Sequence, residues 1–208
     1  MDRFQKYVDD HLKVIRLLPT TFFAFGVYLL AKHFYIFTKF NSIHAIPSDV
    51  YSRQIRLKGL INSVDHTGEL EIFHVPKIRI PINTSPGNSL RVCIPVQHSE
   101  RSRQWMKQNF QPGDVTVFIP VKLLQDDRLL AIVFKKWYFF RKDISYHLLV
   151  NGMVDAEKLD DLPEDFRTKY IGAISKAKKK KKGIWRENSR FRKTCKSFLQ
   201  RMKSLLNL

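Results

Sequence analysis

The chain has little of what most catalytic frameworks are built from. It holds two cysteines, Cys93 and Cys195. They are too few for a disulfide framework and lack the paired spacing of a metal site, so both read as reduced thiols. Seven histidines are scattered along the sequence. His66 and His74 flank one predicted hairpin, but no Cys or His spacing resembles a zinc site. A glycine-rich phosphate loop and a strand-adjacent serine elbow are both missing from the sequence. Acid is scarce as well, with 19 Asp and Glu against 37 Lys and Arg.

The resulting net charge of +18 is unevenly placed. From Lys176 to Leu208 there are thirteen Lys or Arg against Glu187, hence +12, and the remaining 24 basic and 18 acidic residues give +6. A basic tail points to an anionic partner, either nucleic acid or acidic lipid headgroups. The run Lys178, Lys179, Lys180, Lys181, Lys182 can be a solvated helix end favoured by the helix dipole, a membrane-surface patch, or a nucleic-acid patch. Phe198, Leu199, Met202 and Leu206 form an apolar stripe beside those cations. That pairing favours the lipid reading, since nucleic acid is served by basic residues alone.

Leu17 to Ala31 contains no charged residue, and with Lys32 and His33 tolerated the apolar run reaches Phe37. As a helix, residues 17–37 would span ~31 Å, about one hydrocarbon core. A single transmembrane helix is expected there, with Lys32 snorkelling and Tyr28 and Tyr35 in the interfacial belt. The alternative is a buried or interfacial helix. The flank Lys32-His33-Phe34 is unlike a signal cleavage site, and Asp2, Asp9 and Asp10 are unlike a matrix presequence, which leaves an uncleaved anchor. Basic residues after the run (Lys32, Lys39, Arg53, Arg56, Lys58) outnumber those before it, placing the C-terminal domain on the cytoplasm-like or matrix side. The organisation expected is a polar segment 1–16, the span 17–37, a linker 38–53, a domain 54–185 and a basic amphipathic tail 186–208.

That domain reads as short strands: Ile55 to Val64, Glu69 to Val75, Lys77 to Ile82, Ser89 to Val96, Val115 to Leu124 and Arg128 to Phe140. Val, Ile and Phe fill the runs, and the breaks carry Asp65-His66-Thr67-Gly68, Ser85-Pro86-Gly87-Asn88 and Gln111-Pro112-Gly113-Asp114. A helix is expected over Ser99 to Phe110, with Trp105, Met106 and Phe110 at helical spacing. Another is expected over Ser145 to Val154, capped by Gly152, and a third over Phe166 to Lys182. The fold class is α+β, a small barrel of the oligonucleotide-binding type with packed helices.

The order of these elements, with Leu148-Leu149-Val150-Asn151-Gly152-Met153 and then an Ala- and Lys-rich helix ending in Gly183-Ile184-Trp185, resembles the staphylococcal-nuclease-like family over Arg56 to about Trp185. Asp9-Asp10-His11-Leu12, Thr38-Lys39-Phe40, Ile46-Pro47, Leu57-Lys58-Gly59 and Gly183-Ile184-Trp185-Arg186 look like a membrane-anchored branch of it. The resemblance to that branch implies the mitochondrial inner membrane, where it is thought to organise membrane subdomains that influence mitochondrial dynamics. Endoplasmic reticulum or another internal membrane is the alternative location.

The family's chemistry uses carboxylates around a calcium ion, a carboxylate near the attacking water, and two arginines on the phosphorane. The resemblance carries the arginines over to Arg91, in Leu90-Arg91-Val92, and Arg128, in Asp126-Asp127-Arg128. It does not carry the carboxylates. The Asp-Gly-Asp-Thr turn is here Asp65-His66-Thr67-Gly68, the acids five and eight residues after the first arginine are Val96 and Ser99, and Glu100 stands one position late. The expectation is therefore a non-enzymatic module with no cofactor, no metal and a vestigial phosphate site at Arg91 and Arg128. It would act as a scaffold at a bilayer, associating with itself or with a membrane protein through strand edges and the tail. A membrane-tethered nucleic-acid binder is the alternative, and an active nuclease the third reading.

Overall fold

The computed structural model describes residues 2–78, 87–137 and 140–186. The chain divides into two compact units, residues 1–39 with 76–84 and residues 40–75 with 85–208.

The first unit is built on one long helix, α1 (Asp2–His33). Pro19 lies inside it and contributes no N–H to the ladder, and Thr21 Oγ1 donates to Leu18 O at 2.8 Å in the same turn. The helix closes on Lys32 and His33, cations that favour the negative end of the helix dipole. Tyr35 then takes a left-handed φ of 52°, and Ile78 N–H donates to Ile36 O at 3.2 Å. The expected helix over 17–37 therefore starts earlier and stops four residues sooner. Its charge-free portion, residues 17–31, is ~22 Å long against the ~30 Å of a hydrocarbon core. Among the described residues, no helix is long and apolar enough to cross a membrane.

What is exposed on α1 is nonetheless apolar. Phe22 and Phe23 are 70% and 75% exposed, and Val27, Tyr28, Leu29 and Leu30 are exposed in succession. Four consecutive residues pass once around a helix, so apolar surface encircles this stretch instead of forming a stripe.

In the second unit, residues 41–52 are not the linker expected. They form a 3-10 turn (Ile43–Ala45) and a short helix, α2 (Ser48–Ser52), and bury Ile43, Ile46 and Val50. Three isolated apolar residues around Pro47 carry no periodicity, which is why the segment reads as linker. Strands β1 (Leu57–Val64), β2 (Leu70–Val75) and β3 (Leu90–Cys93) follow, then β4 (Val96–Gln97) and helix α3 (Glu100–Asn109). Next come β5 (Val115–Leu124), β6 (Arg128–Trp137), β7 (Phe140–Asp143), α4 (Ile144–Val150), β8 (Asp155–Ala156) and α5 (Glu164–Lys179). Of the strand expected over Lys77 to Ile82, Lys77 and Ile78 are not strand and the rest lies outside the described residues. The tail from 187 onward lies outside them too.

Neighbouring strands run in the order β3-β2-β1-β5-β6, and β3 returns to pair with β6, which closes a five-stranded barrel among the described residues. Its pairings are antiparallel except β3 with β6, which is parallel. This is the mixed barrel, with helices, that the alternation of apolar and polar residues implies. β1 buries Leu57 and Ile61, and β2 buries Leu70, Ile72 and His74, each at period two. His74 Nδ1 accepts from Phe40 N at 3.0 Å. β6 is buried without interruption from Leu129 to Val133, as a strand covered on both faces must be, and α4 packs against it.

The helices are fixed by local chemistry. Ser99 and Ser102 exchange side-chain and backbone hydrogen bonds at the start of α3. The buried Asp143 caps α4 through Tyr146 N at 3.0 Å, and also accepts from Tyr170 OH and from Lys169 Nζ at 2.7 Å. Tyr170, Ala173 and Ala177 form the buried face of α5. α5 ends at Lys179, short of the expected Lys182, because Lys181 turns left-handed at φ 49°. Gly183 then meets Gly152 backbone to backbone. A Cβ on Gly183 would stand 1.9 Å from Gly152 O, and Ile184 N donates to that same oxygen at 2.8 Å. Only glycine allows this approach, which ties the ends of α4 and α5 together.

Candidate functional site

Barrel closure places the two arginines side by side. Arg91 on β3 and Arg128 on β6 are direct partners in the parallel register, although 37 positions separate them in the sequence. On its other side Arg91 faces Glu71 of β2. Arg91 is exposed. Arg128 is engaged: its Nη1 donates to Glu69 Oε1 at 3.0 Å, and its Nη2 lies 3.5 Å from Asp126. The hydrogen bond to Glu69, then the charge of Glu69, raise the guanidinium pKa above its ordinary value. Glu69 itself is 15% exposed, while the Arg128 side chain is 35% exposed, so only the carboxylate end of this pair is largely covered.

Sequence reasoning missed Glu69, and with it His98 and Arg103. Gly68, between the turn and β2, packs directly beneath the His98 ring; a Cβ there would stand 2.5 Å from Nδ1. Both ring nitrogens of His98 are buried without a hydrogen-bond partner among the described residues. Burial lowers its pKa, the carboxylates of Glu69 and Glu157 pull it back up, and Arg103 adds to the lowering. Arg103 donates to His66 O at 3.2 Å and to Glu100 Oε2 at 2.7 Å. The turn from Asp65 to Gly68 is thus fastened to the start of α3. A glutamate one residue past a turn and a histidine one residue before a helix cap are the only sequence signals for this cluster.

The carboxylate geometry that calcium requires is not matched by this donor set. Thr67 stands where a second turn carboxylate is needed, and its hydroxyl donates to Asp65 Oδ2 at 3.1 Å. Asp65 Oδ1 accepts from His66 N at 2.6 Å and contacts the His66 ring. Desolvation pushes the Asp65 carboxyl up, but the His66 N–H, the Thr67 hydroxyl and the His66 ring outweigh it and hold it below the ordinary value. Val96 is 1% exposed and apolar. Ser99 Oγ donates to Met153 O at 2.9 Å, and the Glu100 carboxylate is taken up by Arg103. Among the described residues, no three His, Cys, Asp or Glu side chains stand where they could hold a metal ion. What remains is a basic pair in which Arg128 is engaged by Glu69 and Asp126 and Arg91 is exposed.

The lysine run occupies the end of α5. Lys178 and Lys179 are its last residues, Lys180 is its cap, and Lys181 and Lys182 follow; all are exposed. Lys178 Nζ lies 4.3 Å from the Trp185 ring centroid, a cation–π contact that positions one cation of the run. Asp126 and Asp127 sit in the β5–β6 turn with left-handed φ values of 63° and 54°, and Asp127 pairs with His44 at 2.7 Å. They are turn residues.

A closed barrel of this topology, with two arginines in register and a glycine-locked pair of helices behind it, defines a nuclease-like domain. Residues 76–187 match the family described as Staphylococcal nuclease homologue, and the chain belongs to that family. It is homologous to Protein C3orf33 of Homo sapiens, with 26% identity over 198 residues covering 90% of this chain and 67% of that one. The Protein C3orf33 homolog of Mus musculus is 26% identical over 217 residues, covering 96% and 72% of the two chains. Among solved structures, the extended Tudor domain of Drosophila melanogaster Tudor-SN aligns at 12% identity and a TM-score of 0.37, covering 61% of this chain and 67% of that one.

Proposed function

We propose that this protein is a non-catalytic, membrane-anchored member of the nuclease family that serves as a scaffold. It organises subdomains of the mitochondrial inner membrane, and through them mitochondrial dynamics and fission. One observation carries the membrane part: the apolar surface that encircles α1 from Phe22 to Leu30. A helix apolar all round needs cover, and a bilayer supplies it. Its charge-free portion is shorter than a hydrocarbon core, so the anchor works with local thinning, snorkelling of flanking side chains or shallow insertion. The choice of the inner membrane rests on the resemblance of the flanking residues to the anchored branch of the family. The non-catalytic part rests on Thr67, Val96 and Ser99, which stand where the family resemblance calls for carboxylates.

A membrane-tethered nucleic-acid binder, using Arg91, Arg128 and the lysine run, is the second reading. It is favoured by the exposure of Arg91 and of Lys178 to Lys182. It is weakened by Glu69, which already neutralises Arg128. Replacing both arginines by alanine separates the two. A scaffold keeps its localisation and its effect on inner-membrane morphology. A nucleic-acid binder loses duplex affinity, and its salt dependence flattens by about one phosphate contact per arginine removed. Loss of morphology in R91A/R128A with correct localisation would overturn the scaffold reading.

A further inference from the structure

β6 and β7 form a hairpin that runs on past the closed barrel, since β7 pairs with β6 alone. Its outer pairs among the described residues are Lys135 with Lys142, Lys136 with Arg141, and Trp137 with Phe140. Among the described residues an aromatic pair is thus the outermost, and two successive cation–cation pairs stand behind it. Phe140 is 76% exposed, more than any other large apolar side chain described. Lys136, Arg141 and Lys142 are exposed too, whereas Lys135 is drawn inward by Asp114, 2.7 Å away, and by Asn109 O. Like charges directly across a strand pair destabilise it. The buried core needs no exposed Phe140.

We propose that this hairpin end is a second membrane contact, built into the barrel domain: Phe140 enters the headgroup–acyl boundary of an anionic leaflet while Lys136 and Arg141 bind the lipid phosphates around it. An apolar wedge with a basic collar matches such an interface in both polarity and charge. A second copy of the chain fits poorly. Two copies joined along β7 would bring Arg141 and Lys142 of one against the same cations of the other, and like charges on an edge oppose edge pairing. Duplex nucleic acid would use the cations but keeps its bases stacked inside and gives an exposed phenylalanine no apolar boundary; a single strand, whose bases could stack on Phe140, is an outcome of the test. The inference shares the bilayer with the reading above but does not depend on α1.

The test uses the full chain with C195S and F140C, labelled at position 140 with an environment-sensitive fluorophore; Cys93 is buried. With vesicles in which about a third of the phosphatidylcholine is replaced by anionic phosphatidylglycerol, the emission shifts to the blue. With pure phosphatidylcholine it stays as in water. K136A/R141A weakens the blue-shifted state about 30-fold at low salt, two basic residues at ~1 kcal/mol each. A label on Q125C, in the β5–β6 turn at the opposite end of β6, stays in water throughout. No shift in anionic vesicles, an equal shift in neutral ones, or a shift caused instead by single-stranded or duplex DNA without vesicles would each overturn the proposal. Flotation of the same samples separates the two membrane claims. Failure of the α1 anchor appears as chain that does not float with neutral vesicles. Failure of the hairpin appears as floated chain whose label remains in water.

Discussion

α1 and the barrel are made from the same apolar residue types and treat them in opposite ways. In the barrel, Leu70, Ile72, Leu90, Val92, Leu129 and Ile132 are all fully buried. Along α1, Leu17, Phe22, Phe23, Phe25 and Leu30 are all more than half exposed. Removal of apolar area from water is worth about 25 cal/mol per Å², so the barrel supplies its own driving force and α1 lacks one until something else covers it. The difference is one of pattern. Period-two alternation gives a sheet one face to bury, while a helix apolar on every side has no polar face to leave in water.

The largest expected effect comes from removing that uncovered surface. F22S/F23S/F25S should weaken association of the full chain with vesicles by about 10⁴-fold, at ~2 kcal/mol per phenylalanine, with the unfolding midpoint of the barrel unchanged. Flotation and a denaturant titration measure the two. The reverse change is next: L90A should destabilise the barrel by about 2–5 kcal/mol and leave flotation as it was. If either substitution moved both readouts, the two regions would not be independent in their use of apolar surface.

A smaller effect is expected where α5 meets the barrel. Y170F removes the hydroxyl that donates to buried Asp143 and should cost about 1–2 kcal/mol in a chemical-denaturation midpoint. D143A should cost more, since Lys169, Tyr170 and the first turn of α4 all lose their acceptor.

The smallest effect is a pH dependence. Burial holds the His98 pKa below its ordinary 6.5, against the pull of Glu69 and Glu157. Burial lowers His147 as well, with Lys142 adding to it. Below 6.5 the unfolded chain therefore takes up protons that the folded chain refuses, so this stability is present above 6.5 and is lost as the pH falls through that window. Asp65 and Asp114 are lowered as well, and their contribution is lost only as the pH falls below 3.8. H98Q/H147Q should flatten the stability profile between about pH 7 and about pH 5 while leaving the steeper acid limb in place. An unchanged slope in the upper window would show that these rings are not what titrates there.

The barrel was legible because its signals are local. Alternating apolar residues and the turns at Asp65–Gly68 and Gln111–Asp114 set β1, β2, β5 and β6 to within two residues at each start. The helix over Ser99 to Phe110 was legible from its apolar spacing, and the serine cap fixes its start. The site was only half legible. Arg91 and Arg128 could be chosen by motif, but their adjacency depends on the parallel β3–β6 pairing, a contact that no local pattern announces. Glu69 went unseen for the same reason: its partner is 59 positions away. The helix end at His33 was hidden because apolar residues continue to Phe37, while the backbone turns at Tyr35 through a left-handed φ that composition does not reveal.

The most direct test of the account is carbonate extraction of mitochondrial membranes from cells making the full chain or a chain lacking residues 1–39. The account predicts that the full chain resists extraction and that the truncated chain appears in the soluble fraction. A full chain released by carbonate, or found in the nucleus, would contradict it: the apolar surface of α1 would then be covered by protein, and the exposed cations of Arg91 and the lysine run would be left to nucleic acid.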